Sequence, residues 1–251
     1  MTYAERIQER IKETGSNLCV GIDPRFEDIE GDAEAFLAKL IEDTAEYAAA
    51  FKPNIAYFEA LGSNGVALLE RLLERMVGKV PVVLDVKRGD IGATQAYYAK
   101  AYFERWGVDA VTLSPYMGFD SVEPFLGYEG KGVYLLGVTS NEGAADIERR
   151  ELSDGREVFE LVADFARSRE GDTGLVVGLT NASGDLLGKV PDVPLLVPGL
   201  GAQGGDLAAL AGQDRAAPIL VNVSRGIMFG EGERSFREKA KDYADRIADI
   251  L

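Results

Sequence analysis

Short apolar runs rich in Val, Ile and Leu alternate along this chain with longer stretches in which apolar residues recur every three or four positions. The runs predict strands at 18–22, 51–58, 82–86, 110–113, 133–138, 175–179, 194–197 and 219–223. The periodic stretches predict helices at 33–50, 65–76, 93–106, 121–126, 156–169, 183–187, 205–211 and 232–251, after an amphipathic helix in "MTYAERIQERIKETG". Strands that are apolar throughout, without alternation, are buried on both faces, as in a parallel sheet covered by helices. Eight strand-then-helix units in 251 residues match an α/β single-domain (β/α)8 TIM barrel over residues 1–251, although a doubly wound open sheet has similar periodicity. The polar positions favour the barrel. Asp23, Asn54, Asp85, Lys87, Ser114, Thr139, Thr180, Pro198 and Ser224 fall at or just past the C-terminal ends of the strands, the face on which barrel active sites are built. No Pro/Gly/Ser-rich linker, low-complexity tract or short repeat divides the chain.

A net charge of −15 repels nucleic acid and anionic membrane surfaces, so neither is an expected partner. An anionic ligand therefore needs local positive charge at its site. The acid excess, 42 against 27 bases, fits adaptation to high internal salt as well as it fits an ordinary acidic cytosolic protein. With 0 histidines, the commonest general base and the commonest zinc ligand are missing. The single cysteine, Cys19 in "NLCVGI", allows no internal disulfide or multi-cysteine metal cluster and reads as a core filler. Catalysis falls to Lys, Asp, Glu, Ser, Thr or Tyr. The N-terminal segment lacks the apolar run of a secretory signal and no stretch approaches membrane-spanning length, so the expected compartment is the cytoplasm.

Two constellations carry candidate chemistry. In "VVLDVKRGDIGAT" (82–94), Asp85 and Lys87 are two apart in a strand and leave on the same face, with Asp90 following in the loop. A solvated strand end with a salt bridge accounts for an isolated D-x-K. It does not account for Lys52 inside "FKPNIAYFEA" or Asp23 inside "CVGIDPR". Buried charges are tolerated when paired, and an array alternating Lys and Asp meets that condition while leaving one ammonium to act as an acid. The second constellation joins "VPGLGAQGGD" at the seventh strand to "LVNVSRGIMFG" at the eighth. Glycines 199, 201, 204 and 205 permit close backbone approach to a phosphate, and Arg225 offers a bidentate fork to the same anion. Barrels commonly bind phosphate in the loops after these two strands.

"LDVKRGDIGAT" resembles the D-x-K-x-x-D-I-x-x-T signature of the orotidine 5′-phosphate decarboxylase family, in the branch with a K-R-G-D motif. The similarity extends through "CVGIDPR", "FKPNIAYFEALG", "SPYMGFDSVEPFL", "TSNEGAAD" and "VPGLGAQGGD". The resemblance implies a cofactor-independent, metal-free decarboxylation of orotidine 5′-monophosphate to uridine 5′-monophosphate, in a homodimer with shared active sites. Lys52, Asp85, Lys87 and Asp90 then form the catalytic tetrad, with Asp90, Ile91 and Thr94 reaching into the neighbouring subunit's site. Asp23 and Lys52 hold ribose hydroxyls, joined by the partner subunit's Thr94. Ser140 meets the amide edge of the pyrimidine. Gln203, Arg225 and the backbone N–H groups around Ser224 to Gly226 take the phosphate, and Pro198 walls an apolar pocket near the departing carboxylate. The family's T-S-N-P-G is "TSNEG" here, with Glu142 in place of proline.

Two rivals share much of the pattern. A sugar-phosphate decarboxylase or aldolase of the same barrel superfamily uses D-x-K-x-x-D acids around Mg²⁺, and Lys52 and Ser140 speak against it. A catalytically silent phosphate-ligand binder keeps the barrel but gains little from a costly charged array.

Overall fold

The computed structural model describes residues 1–169, 172–180, 184–198, 207–211, 215–230 and 232–251. Its eight strands are β1 (Leu18–Ile22), β2 (Ala50–Pro53), β3 (Val83–Arg88), β4 (Ala110–Leu113), β5 (Gly132–Val138), β6 (Thr173–Val177), β7 (Leu195–Pro198) and β8 (Ile219–Val223). All pair in parallel in the order β2-β1-β8-β7-β6-β5-β4-β3. Parallel bridges between Phe51 and Val82 and between Asn54 and Asp85 join the two ends of that order. The result is a (β/α)8 barrel.

Alternation within each strand divides the core in two. Leu18, Val20 and Ile22 of β1, with Val221 and Val223 of β8, point outward into the main core beneath the helices. Cys19, Ala50, Val83, Ala110, Tyr134, Val176, Leu196 and Leu220 form a second cluster, inside the barrel. The period of two in side-chain direction is what sends neighbours along one strand to these different cores. Helix α1 (Tyr3–Thr14) starts at a Thr2/Glu5 capping box and adds Tyr3 and Ile7 to the inner cluster. The Tyr3 and Tyr134 hydroxyls lie 3.2 Å apart, with their rings edge to face at 5.9 Å. Cys19 is fully buried, and burial pushes its thiol up to about 12, as a core filler requires.

The remaining helices are α2 (Ala33–Thr44), α3 (Ile55–Glu59), α4 (Gly62–Met76), α5 (Gly92–Ala99), α6 (Glu123–Leu126), α7 (Val158–Arg167), α8 (Gly184–Leu187), α9 (Arg225–Met228) and α10 (Phe236–Ala248). None of the described helices is long and apolar enough to cross a membrane.

Four predicted elements are corrected. The strand expected over 51–58 ends at Pro53, because the Asn54 side chain accepts from the Ala56 amide and caps α3. The helix expected over 33–50 stops at Thr44, and Ala49 instead donates its amide to the Leu18 carbonyl, 2.8 Å away, as the chain enters the barrel wall. The helix predicted over 93–106 is regular only through α5 and continues as a π-helix from Lys100 to Arg105. Of the helix predicted over 205–211, residues 207–210 form a 3-10 turn, while 205 and 206 lie outside the described residues.

Candidate active site

Inside the carboxyl end of the barrel, the first three strands supply a chain of opposite charges. Asp85 of β3 accepts from Lys52 Nζ at 2.9 Å through Oδ2 and from Lys87 Nζ at 2.6 Å through Oδ1. Lys52, on β2, is 4% exposed, and its ammonium also lies 3.9 Å from Asp23 just past β1. Burial on its own would raise the Asp85 carboxyl, but the charges of Lys52 and then Lys87 outweigh it and hold the group well below the usual carboxylate range. Burial likewise opposes the charge on Lys52, and the Asp85 and Asp23 carboxylates overcome it, so this amine sits above its ordinary value. Both groups stay charged because each is the counter-ion that makes the other's desolvation tolerable.

Lys87 differs from Lys52. Its side chain is 50% exposed and reaches the same cavity that Lys52 floors. Its backbone φ of 44° makes it the one non-glycine with positive φ among the described residues, a conformation that a side-chain-bearing residue holds only when its surroundings fix it.

The cavity is about 490 Å³. Besides the ion array it is walled by Leu136, Val176, Leu196 and Pro198 on one side and by Asn222, Ser224, Arg225 and Gly226 on another. Among the described lining residues, the bases Lys52, Lys87 and Arg225 equal in number the acids Asp23, Asp85 and Glu148, inside a protein of net charge −15. Arg225 opens α9 at the rim and is exposed. Two close approaches require glycine. A Cβ on Gly21 would lie 2.7 Å from Ser224 Cβ and 2.9 Å from Asn222 Oδ1. A Cβ on Gly178 would lie 2.6 Å from the Ser140 amide nitrogen, so bare backbone there lets the loop after β5 fold over the barrel mouth.

That loop is anchored by Glu148, which accepts from the Thr139 amide at 2.7 Å and from its hydroxyl at 2.8 Å. With Thr139 tied down, Ser140 and Asn141 remain on the cavity wall. Glu142 is exposed and opens a 3-10 turn over Glu142–Asp146. The first position of a helical turn accepts proline readily, because its N–H has no partner within the turn, so this position suits either residue.

The structure thus brings Asp23, Lys52, Asp85, Lys87, Ser140, Pro198, Ser224, Arg225 and Gly226 to one cavity. Asp90, Ile91 and Thr94 are absent from its lining and lie on the surface around the start of α5. Asp90 Oδ1 accepts from the Ile91 amide at 2.8 Å, and Ile91 is 56% exposed. Gln203 and the glycines at 199, 201, 204 and 205 lie outside the described residues. Sequence reasoning missed Thr112 and Asn222, both buried and both on the cavity wall. Their signal was a single polar residue at an inward position of an otherwise apolar strand, in "AVTL" and "ILVNV". Among the described residues, no group of three or more Asp, Glu, Cys or His side chains is placed to hold a metal ion.

Lysines and carboxylates meeting at the carboxyl end of a (β/α)8 barrel, beneath an arginine-bearing rim, mark the chain as a barrel enzyme. A model of the orotidine 5′-phosphate decarboxylase / HUMPS family matches residues 16–240. An orotidine 5′-phosphate decarboxylase of Verminephrobacter eiseniae is 45% identical, covering 100% of this chain and 98% of its own length. The solved structure of Leishmania donovani OMP decarboxylase superposes with a TM-score of 0.86 at 38% identity, over 100% of this chain and 98% of that one. Leishmania donovani UMP synthase matches with a TM-score of 0.88 at 40% identity, over 100% of this chain but 56% of that chain. The chain belongs to the orotidine 5′-phosphate decarboxylase / HUMPS family.

Removing Asp85 leaves Lys52 buried with only the more distant Asp23 as counter-ion. Asp85→Asn is expected to lower unfolding stability at neutral pH by about 3 kcal/mol. Because the folded-state value of Asp85 lies below its ordinary 3.8, its stabilisation is complete above that pH and is lost as pH falls through the folded value. Denaturant unfolding of both proteins across acidic pH should therefore show the gap narrowing below about pH 4. A gap that is constant down to pH 3 would contradict the ion array.

Proposed function

We propose that the chain converts orotidine 5′-monophosphate to uridine 5′-monophosphate and CO2, the decarboxylation step of pyrimidine biosynthesis, without metal or organic cofactor. The observation that carries this reading is the Lys52–Asp85–Lys87 chain of contacts at the floor of the cavity. Loss of CO2 from C6 of the pyrimidine leaves an sp² carbanion with little delocalisation into the ring, so the catalyst's main task is to stabilise that charge. The Lys87 ammonium opposes it electrostatically and then delivers a proton to C6. Asp85, facing the substrate carboxylate, disfavours the ground state by like-charge proximity.

The remaining cavity residues suit the rest of the nucleotide. Asp23 and Lys52 take the ribose hydroxyls, Ser140 takes the amide edge of the base, and Pro198 walls the space near the departing carboxylate. The guanidinium of Arg225 and the amides around Ser224 to Gly226 take the phosphate, and Gln203 is assigned there by similarity. No acid among the described residues pairs with Arg225, which leaves it available to an anion.

The active form is a homodimer. Asp90, Ile91 and Thr94 stand beside a surface on which Ile91, Tyr97 and Tyr116 are 56%, 75% and 79% exposed. Apolar and aromatic exposure of this extent on α5 and the turn after β4 suits burial against a second copy, which would place Asp90 and Thr94 in the neighbouring site. We place the reaction in the cytoplasm.

The deciding assay follows the loss of orotidine 5′-monophosphate absorbance with and without EDTA. Turnover that survives the chelator is expected, and turnover abolished by it would favour a Mg²⁺-dependent barrel enzyme. Lys87→Ala should give no measurable product, and normal turnover would remove its role as proton donor. Arg225→Ala should weaken substrate binding by about 2 kcal/mol, the scale of a hydrogen bond to a charged group, read as a raised KM. Mixing inactive Lys87→Ala with inactive Asp90→Asn should restore roughly a quarter of the wild-type sites, because one site of each heterodimer receives both native residues. No recovery after subunit exchange would exclude shared sites.

A further inference from the structure

Thr112, in the middle of β4, is 1% exposed, and its hydroxyl makes three hydrogen bonds that all reach β3. It accepts from the backbone N–H of Val86 at 3.0 Å and of Lys87 at 2.9 Å, and donates to Asp85 Oδ1 at 2.9 Å. The direction of each bond is fixed, since amides only donate and an ionised carboxylate only accepts.

Two consecutive amides on one acceptor cannot come from a regular strand, where successive N–H groups point to opposite neighbours. Here the β3–β4 register shifts between Leu84 and Arg88, and Lys87 takes its positive φ of 44° within the shift. A bulge of this kind re-aims a side chain. The one it re-aims is Lys87, whose ammonium then lies 2.6 Å from the same Asp85 oxygen that Thr112 contacts. Thr112 therefore touches the backbone that sets the direction of Lys87 and the carboxylate that receives its head.

We infer that Thr112 is a positioning residue for the decarboxylation, holding the β3 bulge so that the Lys87 ammonium stays aimed at the reacting carbon. This inference rests on the proposed role of Lys87 as proton donor. It requires the hydroxyl and not the methyl group, so Thr112→Val, which keeps the shape, and Thr112→Ser, which keeps the hydroxyl, separate the two. For Thr112→Val, kcat is expected to fall about tenfold to a hundredfold, the cost of a misplaced catalytic group. Its KM and its affinity for uridine 5′-monophosphate should stay within about threefold of wild type, because the phosphate end is untouched. Thr112→Ser should keep kcat within about threefold.

Wild-type kcat in Thr112→Val, or a Ser variant as impaired as the Val variant, would overturn the inference. Should Thr112→Val fail to fold, Thr112→Ser decides alone, and a loss of about tenfold or more in its kcat overturns it. A wild-type chain that does not decarboxylate orotidine 5′-monophosphate would refute the proposed function instead. Thr112 is then read from the crystal structure of Thr112→Val, where Lys87 is expected to leave its positive φ, and retention of that φ overturns the inference.

Discussion

A carboxylate held between two ammonium groups, inside a barrel whose lower half is hydrocarbon, is the contact on which the other features of this molecule depend. Asp85 is held ionised there by Lys52 and Lys87, and Lys52 is held charged by Asp85 and Asp23. Either partner alone would have to neutralise or open the barrel to water. Lys87 adds a second ammonium to the same carboxylate from the more exposed side. One acid thus serves as the buried counter-ion of Lys52 and as the tether of Lys87.

The barrel provides this arrangement by stacking inward residues in layers. Cys19, Ala50, Val83, Ala110, Tyr134 and Leu220 fill the lower part and are sealed by α1. One step further along the strands the inward positions become Lys52, Asp85, Thr112 and Asn222, all buried and all polar. Two further along stand Asn54, Lys87 and Ser224, at the mouth. Solvent exposure grows along the same direction, from the sealed floor through Lys52 to Lys87. Charge is therefore placed at the depth where it is shielded from water but still reachable by a ligand, which is where electrostatic effects on a reaction are strongest.

Much of this was legible in the sequence because parallel strands announce themselves as unbroken apolar runs. The predicted runs at 18–22, 110–113 and 219–223 coincide with β1, β4 and β8. Charges interrupting such runs marked Lys52, Asp85 and Lys87 as candidates, and all three line the cavity. The reading failed where local pattern is ambiguous. Ile55 to Phe58 are as apolar as a strand, and the cap supplied by Asn54 starts them as a helix. The alanines at 48–50 have the highest helix propensity, yet tertiary pairing with β1 recruits them into or beside the wall. Thr112 passed unnoticed because threonine is ordinary in strands. Its importance lies in the register shift opposite it, which no periodicity reveals. Asp90, Ile91 and Thr94 lie outside this chain's own cavity, and the homodimer proposed above is what would give them a site to enter.

The acidity of the whole protein and the anionic character of its proposed ligand are reconciled by distance. At physiological ionic strength the screening length is about 8 Å, so acids scattered over the outer helices contribute little at the bottom of the cavity. Within that range the ligand meets a lining in which, among the described residues, three bases balance three acids. The balance is uneven in space. Asp85 is spent on Lys52 and Lys87, and Glu148 is occupied by the Thr139 amide and hydroxyl. Arg225 at the rim has no acid of its own among the described residues. The free positive charge therefore sits at the mouth, where a phosphate would be held, and the compensated charge sits at the floor, where a reaction that separates charge needs fixed dipoles of both signs. The same count of charges distributed evenly would serve neither end.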